Sequence, residues 1–233
     1  MSKSTVAELG TLASVKRKGV ISSIHWEGLF FLVIALLLGF QERFLATDAS
    51  VVSSNYHFLN LYFKFTSALL SSHKFLAIPF LVFFLYSTFR STSSGLPRRI
   101  CDFLGIYYFL RMTTLLIGLN LLIFDVTSSR FLLITQLLFF LPYCLLIWGW
   151  VYWRLDTSAG STHRRLFRLD IEREDPRPID YLISSFSSVF SASISGIKGR
   201  SARARILILV HGIVIYDIMG LTLSRAVALV QAK

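Results

Sequence analysis

The stretch Phe131–Trp153 reads FLLITQLLFFLPYCLLIWGWVYW and contains no charged side chain. A helix needs about 20 mostly apolar residues to cross the hydrocarbon core of a bilayer, and this run is long enough. The whole chain has the same character: 54% of its 233 residues are hydrophobic, 16% are charged, and the mean hydropathy is +0.62. A soluble domain of this length could not bury so much apolar side chain. The sequence therefore predicts an all-α integral membrane protein and excludes an ordinary soluble enzyme, a disordered tail and a disulfide scaffold.

Further apolar runs surround this segment. Membrane spans are predicted at 27–44, 75–89, 100–124 and 206–230. Residues 55–70 are rich in Tyr and Phe and contain Lys64. These residue types favour the headgroup level, so the segment predicts an interfacial helix leading into the short span 75–89. A separate full span at 51–70 is the alternative. We expect about five transmembrane helices in a multi-pass protein whose first partner is the lipid bilayer, most simply that of the cell's inner or plasma membrane.

Four aromatic residues end the run quoted above: Trp148, Trp150, Tyr152 and Trp153. Trp and Tyr are enriched where a membrane meets water, so these residues predict an aromatic belt at the interface.

The chain carries 24 Lys and Arg against 13 Asp and Glu, a net charge of +11. These charges lie between the apolar runs, and acids at 170–175 offset the arginines of the linker 154–179, so nucleic acid is not an expected partner. Counting Lys and Arg in the loops puts the N-terminus, the loop 90–99 and the linker on the inner side of the membrane. Within the linker, arginines alternate with apolar residues over 164–171, which predicts a short amphipathic surface helix.

The segment 179–205 reads IDYLISSFSSVFSASISGIKGRSARAR. It starts with an apolar, helix-length piece, Tyr181–Phe190, that is too short to cross a membrane. A run of small residues follows, and then the last span begins. This order predicts a re-entrant hairpin, because non-helical backbone survives at membrane depth only where protein or water satisfies its polar groups.

This pattern resembles the pore domain of tetrameric potassium channels of the two-transmembrane type. The residues in register with that family are Asp180, Tyr181, Leu182, Ser185, Phe186, Ala204, Arg205 and, late in the last span, Arg225. The resemblance covers about Phe131 to Val230. The whole chain is also similar to an uncharacterised family of bacterial membrane proteins with about five spans.

The resemblance implies a division of the chain into a basic N-terminal segment 1–26, a three-span part 27–124 and a pore-domain-like part 131–233. The last would comprise an outer helix 131–153, the linker 154–179, a re-entrant loop 180–200 and an inner helix 206–230. It also implies a homo-oligomer and monovalent cations as the transported species.

The expected filter positions are occupied by Ser191, Ala192, Ser193, Ile194, Ser195 and Gly196. In the family, backbone carbonyls replace the water around the ion, and glycines permit the dihedral angles that this requires. Ser193 and Ser195 replace both glycines, so a potassium-selective filter is not expected. Two functions follow: a non-selective or atypical ion pathway, or a non-conducting structural subunit that assembles into a membrane complex.

The family and the charge count disagree on orientation. The pore loop of the family enters from outside, whereas the charge count puts the linker before the loop inside. Because the register match has no gap, we favour the orientation of the family. Either the extra span at 51–70 or an outside N-terminus would provide it.

The predicted spans contain the candidate intramembrane polar residues Arg111, His211 and Asp217. Such residues are candidates for function because they are costly in lipid. We predict an ion pair between Arg111 and Asp217, with a permeation or proton-relay role for His211 and Asp217 as the alternative. Glu27, at the head of the first span, is predicted to be a solvated helix-start acid.

Gly220 and Ser224 lie four residues apart and form a small-residue face for close helix packing, either between subunits or within the chain. Cys101 and Cys144 stand apart from any cluster of metal-ligand residues. The sequence contains no zinc-protease, Walker or nucleophile-elbow motif. We therefore expect neither an enzyme, nor a cofactor, nor a metal.

Overall fold

The computed structural model describes residues 26–41, 96–123, 130–158, 165–171, 176–191 and 196–231, together with separate positions between 61 and 86. The elements in these residues are α1 (Trp26–Gln41), α2 (Leu96–Ile123), α3 (Arg130–Ser158), β1 (Phe167–Leu169), α4 (Pro178–Ser191), β2 (Ile197–Gly199) and α5 (Ala202–Gln231). Every described position between 61 and 86 is also helical.

Three helices are long and apolar enough to cross a membrane: Arg98–Asn120, Leu138–Ser158 and Ala202–Leu223. They confirm the prediction of an all-α membrane-embedded protein, and they coincide with the predicted spans 100–124, 131–153 and 206–230. α1 is apolar but shorter. The predicted span 75–89 lies only partly within the described residues.

Contacts between charged side chains bring several helix ends together. Glu27 at the start of α1 forms a 2.5 Å ion pair with Arg98 near the start of α2. Asp102 pairs at 2.5 Å with Arg154 near the end of α3, so α2 and α3 are antiparallel. Asp156 accepts a hydrogen bond from the start of β1, and β2 leads into α5. We name this end of the bundle, where β1 and β2 lie, the ribbon end.

Part of the chain between α1 and α2 packs against α2. Both helices start at the ribbon end, and the alternative extra span at 51–70 lies mostly outside the described residues. The carbonyl of Leu69 and the hydroxyl of Ser72 contact the Tyr107 hydroxyl at 3.2 and 2.9 Å. Tyr107 lies about 13 Å along α2 from Arg98. This part of the predicted interfacial helix therefore packs at the depth of the span.

α3 is the most enclosed of the three spanning helices, because 61% of the residues in its most apolar stretch are buried. Its four aromatic residues Trp148, Trp150, Tyr152 and Trp153 are at most 8% exposed, so the prediction of an interfacial aromatic belt is wrong. Neighbouring helices cover them: the Trp150 ring occupies the space beside Gly105 of α2, and the Trp153 ring lies 5.7 Å from that of Tyr181 in α4. The aromatic residues form the core because α3 has partners on several sides.

The linker forms a strand where an amphipathic helix was predicted. The antiparallel register pairs Phe167 with Gly199, Arg168 with Lys198, and Leu169 with Ile197. Phe167 and Leu169 are buried while Arg168 between them is exposed. This alternation has the two-residue period of a strand. The local interpretation failed because the strand's partner, β2, lies beyond α4 in the sequence.

Candidate functional site

Asp156, near the end of α3, joins three parts of the chain. One carboxylate oxygen accepts hydrogen bonds from the backbone N–H groups of Leu166 and Phe167 at 2.7 and 3.0 Å. The other accepts a hydrogen bond from the Tyr181 hydroxyl in the first turn of α4. The side chain is nearly enclosed, so these donors replace water. Asp156 thereby holds both the ribbon and α4 against α3. Burial, and then the hydrogen bond to Asp156, raise the pKa of Tyr181, which keeps its hydroxyl neutral.

α4 runs antiparallel along α3, from the ribbon end towards the middle of the bundle. The Ser185 hydroxyl donates a 2.9 Å hydrogen bond to the Leu145 carbonyl. Gly149 lies between Leu145 and Asp156 on α3. Its lack of a side chain lets α4 approach closely, because a Cβ there would lie 3.0 Å from the Leu182 Cα. Leu145 and Asp156 are about 16 Å apart along the helix axis. α4 therefore follows roughly the half of the span nearest the ribbon end.

The chain returns to the ribbon end soon after α4. The carbonyl of Gly196 accepts a 3.1 Å hydrogen bond from the backbone N–H of Asp170. A Cβ on Gly196 would lie 3.4 Å from the Ser184 hydroxyl, which places this turn beside α4. β2 then pairs with β1. One strand of the ribbon therefore comes before α4 in the sequence, and its paired strand comes after α4.

The predicted filter residues are placed only in part. Ser191 is the last residue of α4, one residue beyond the predicted helical piece, and Gly196 forms the turn before β2. Ala192, Ser193, Ile194 and Ser195 lie outside the described residues. The two ends of the segment therefore have known positions, while its lining stays a prediction. The strand at 197–199 within the predicted loop 180–200 was not foreseen.

His211 lies in the core next to the ribbon. It has no exposed surface, and its Nδ1 is 2.9 Å from the Tyr152 hydroxyl. Its ring stacks on Trp148 with centroids 4.7 Å apart, and the Tyr152 ring contacts Phe167 of β1 at 5.1 Å. No described residue forms a hydrogen bond with its Nε2. His211 therefore connects α5 to α3 directly beneath the ribbon.

Arg111 and Asp217 have different partners. Asp217 accepts a 2.6 Å hydrogen bond from the side-chain amide of Asn120, which joins α5 to α2. Arg111 lies about 13 Å before Asn120 along α2, and its Nη1 is 3.5 Å from the Tyr107 hydroxyl, one turn nearer the ribbon end. Among the described residues, Arg111 therefore lies beside Tyr107 and Asp217 beside Asn120, and the predicted ion pair between Arg111 and Asp217 is not among these contacts. His211 and Asp217, the residues of the alternative relay, also have different partners: His211 contacts Tyr152, and Asp217 contacts Asn120.

Sequence reasoning missed a cluster of charges that joins α1, α2 and α3. Glu27 has no exposed surface, pairs with Arg98 and accepts a 3.1 Å hydrogen bond from the Trp153 indole. The prediction that Glu27 is solvated is therefore wrong. Asp102 accepts two hydrogen bonds from Arg154 at 2.5 and 2.7 Å. The sequence held one signal of this cluster: Arg98 and Asp102 are four residues apart, a spacing that allows an ion pair within one helix, and their charged atoms are 3.6 Å apart.

At Gly220, the predicted small-residue face lies on the outside of the single chain. This residue is exposed, and a Cβ on it would meet no described atom within 4 Å. Its neighbours on the outside of α5 include Ile213, Tyr216 and Leu223, each more than half exposed. The side chain of Ser224 lies outside the described residues. At Gly220, packing against another part of the same chain is therefore not observed among the described residues.

No group of three or more His, Cys, Asp or Glu residues within the described ranges could hold a metal ion. Cys101 and Cys144 are both buried and unbridged. They pack as small apolar side chains within α2 and α3.

The chain matches no family model, no curated protein and no solved structure at a significant level.

Proposed function

We propose that the protein is a channel-like, homo-oligomeric membrane protein in which a hairpin around α4 enters the bilayer from the ribbon end. The observation that carries the proposal is the course of the chain: α4 runs from Asp156 inwards to Leu145, and the chain is at the ribbon again by Gly196. A short helix that ends inside a bilayer is stable there only when protein or a water-filled space shelters the backbone that follows it. The hairpin would turn at the filter-like segment 191–196 and expose it to ions.

The outer sides of α4 and α5 support the assembly of several copies. Ile183, Leu209 and Ile213 are 60%, 63% and 58% exposed in the single chain. In an oligomer built like a pore domain, the hairpins of neighbouring subunits lie around a common axis, and part of this apolar surface contacts the next subunit. Gly220 would allow the close approach of two helices there.

We assign the ribbon end to the inner side of the membrane. The starts of α1 and α2 lie there with the linker, and all of these segments carry the excess of Lys and Arg that marks inner loops. This assignment reverses the orientation that the register with the potassium-channel family favoured. The proposed pathway would pass monovalent cations with little selectivity, because serines replace the glycines that a carbonyl filter needs.

Flux measurements with the purified protein in liposomes test this function. We expect uptake of K⁺, Na⁺ and Cs⁺ that depends on the protein and that falls severalfold in Ser193→Leu and Ser195→Leu. Ser158→Leu is the matched control, because Ser158 is exposed at the end of α3; its flux should equal that of the wild type. Flux that the two filter variants leave unchanged would contradict the proposed pathway. An absence of flux for every ion, with a stable co-purifying protein, would favour the alternative of a non-conducting assembly subunit.

A further inference from the structure

The outer face of the ribbon presents two positive charges opposite each other. Arg168 and Lys198 are direct cross-strand partners, and both are exposed. Side chains at such positions start about 5 Å apart, and like charges there destabilise the pair. The ribbon cannot turn to separate them, because Phe167 and Ile197 on its inner face are 2% exposed and fixed in the core.

More cations lie next to the ribbon, at and just before the start of the next helix. Arg200, Arg203 and Arg205 follow β2 at the start of α5, and all three are exposed. The chain bends sharply here, since a Cβ on Gly199 would lie 2.8 Å from the backbone nitrogen of Arg205. The bend keeps the arginines next to the ribbon. Among the described residues beside it, Asp170 is the one exposed acid.

The position of the ribbon places these cations at the membrane boundary. Phe167 contacts both Tyr152 and Asp156 in the last turns of α3. The candidate membrane span in α3, Leu138–Ser158, ends at Ser158. The outer face of the ribbon therefore lies near the level of the lipid headgroups.

We propose that this face, formed by Arg168 and Lys198 with the exposed arginines Arg200, Arg203 and Arg205 next to it, binds the phosphates of anionic phospholipids in the leaflet at the ribbon end. Arg and Lys form charge-assisted hydrogen bonds to phosphate oxygens, and basic segments next to a membrane are attracted to anionic lipids. A bound phosphate between Arg168 and Lys198 would turn their repulsion into two favourable contacts. The inference does not depend on whether the protein conducts ions.

Lipid binding to the full-length protein in a neutral detergent tests the proposal. Native mass spectrometry measures the binding of phosphatidylglycerol and of phosphatidylcholine, and thermal unfolding is followed with each lipid. One basic residue near an anionic surface contributes roughly a fivefold gain in affinity. We therefore expect R168Q/K198Q to lower the preference for phosphatidylglycerol about tenfold or more. In phosphatidylcholine alone, the same variant should unfold at the temperature of the wild type or above it, because the like-charge pair is gone.

R99Q/R177Q is the matched control, because it removes the same charge from exposed positions outside the ribbon and should keep the preference. The proposal is overturned if R168Q/K198Q binds phosphatidylglycerol like the wild type, or if both double variants lose the preference equally. It is also overturned if R168Q/K198Q is less stable in phosphatidylcholine, since the two cations would then support the fold. Inorganic phosphate that stabilises the protein as much as phosphatidylglycerol would show a site for free phosphate, and would likewise overturn it.

Discussion

Trp150 of α3 occupies the space that a side chain at Gly105 of α2 would need, since a Cβ there would lie 2.0 Å from the indole ring. Phe31 of α1 packs against the same indole with ring centroids 5.6 Å apart. Three helices thus meet where one side chain is missing, and the close approach of α2 and α3 depends on that glycine.

Gly105→Ala should destabilise the protein by about 1–3 kcal/mol, the usual range for overpacking a filled core. Unfolding in detergent measures the change. Gly212→Ala is the control, because it adds the same methyl group to α5 where no described atom lies within 4 Å. Replacing a helical glycine in open space should leave stability equal or raise it by up to about 1 kcal/mol. Equal stabilities of the two variants would contradict the role of Gly105.

Asp156→Asn should loosen the ribbon and α4 together, at a cost of about 2 kcal/mol, because a neutral amide replaces the negative charge on which three hydrogen-bond donors converge. Tyr181→Phe removes one of those donors. The double variant should therefore be less destabilised than the sum of the two single variants, as measured by a double-mutant cycle. Asp170→Asn, at an exposed position, should have little effect. Strict additivity would show that Asp156 and Tyr181 do not act together.

Alkaline pH should weaken the fold through Tyr181. Its pKa is raised in the folded protein, whereas an unfolded tyrosine ionises at about pH 10. The stabilisation from the neutral hydroxyl is therefore fully present below pH 10 and is lost as the pH rises further. Tyr181→Phe has no group to titrate, so its stability should fall less steeply between pH 10 and 11. Parallel curves for the wild type and the variant would refute this assignment.

Arg98→Met should destabilise the contact between α1 and α2 by about 2 kcal/mol, because it leaves the Glu27 carboxylate buried without its cation. Neutralising the acid as well, in E27Q/R98M, should recover part of the loss. Arg99→Met, at the exposed neighbouring position, provides the comparison and should change little. A double variant as unstable as R98M alone would mean that the buried charge is not the cause.

Gly220→Leu should reduce the proportion of oligomer, as seen by light scattering in detergent, while the unfolding temperature of the protomer stays the same. The reason is that Gly220 lies on the outside of α5 with open space beside it. Gly39→Leu makes the same change in open space on α1 and should leave the oligomer intact. Loss of oligomer in both variants, or in neither, would argue against a subunit contact at Gly220. This prediction depends on the proposed assembly.

The spans could be predicted from the sequence because a membrane imposes a length and an apolar composition on one segment at a time. Features that depend on distant partners were missed. The aromatic residues of α3 look the same in sequence whether they face lipid headgroups or a protein core. They are buried because α4 and the other helices cover them. Strand β1 was read as a helix because Arg165, Arg168 and their apolar neighbours fit a helical surface when β2 is not known.

For the candidate site, the sequence predicted the short helix but not the contacts that hold it. A short helix before a small-residue segment was readable at 181–196, and α4 occupies that place. Its two anchors were not foreseen, because Asp156 lies in another helix and Ser185 is bound to the carbonyl of Leu145. Every residue has a backbone carbonyl, so the identity of Leu145 does not show that it accepts this hydrogen bond. No pattern of side chains could therefore indicate the contact.

The pairing of β1 with β2 ties together the two ends of the segment that contains α4. Residues 170–196 therefore form a closed loop, and β2 continues within a few residues into α5. α4 cannot slide along its own axis without opening the ribbon or shifting the first turn of α5. A tilt of α5 is thereby mechanically coupled to the position of α4 along α3.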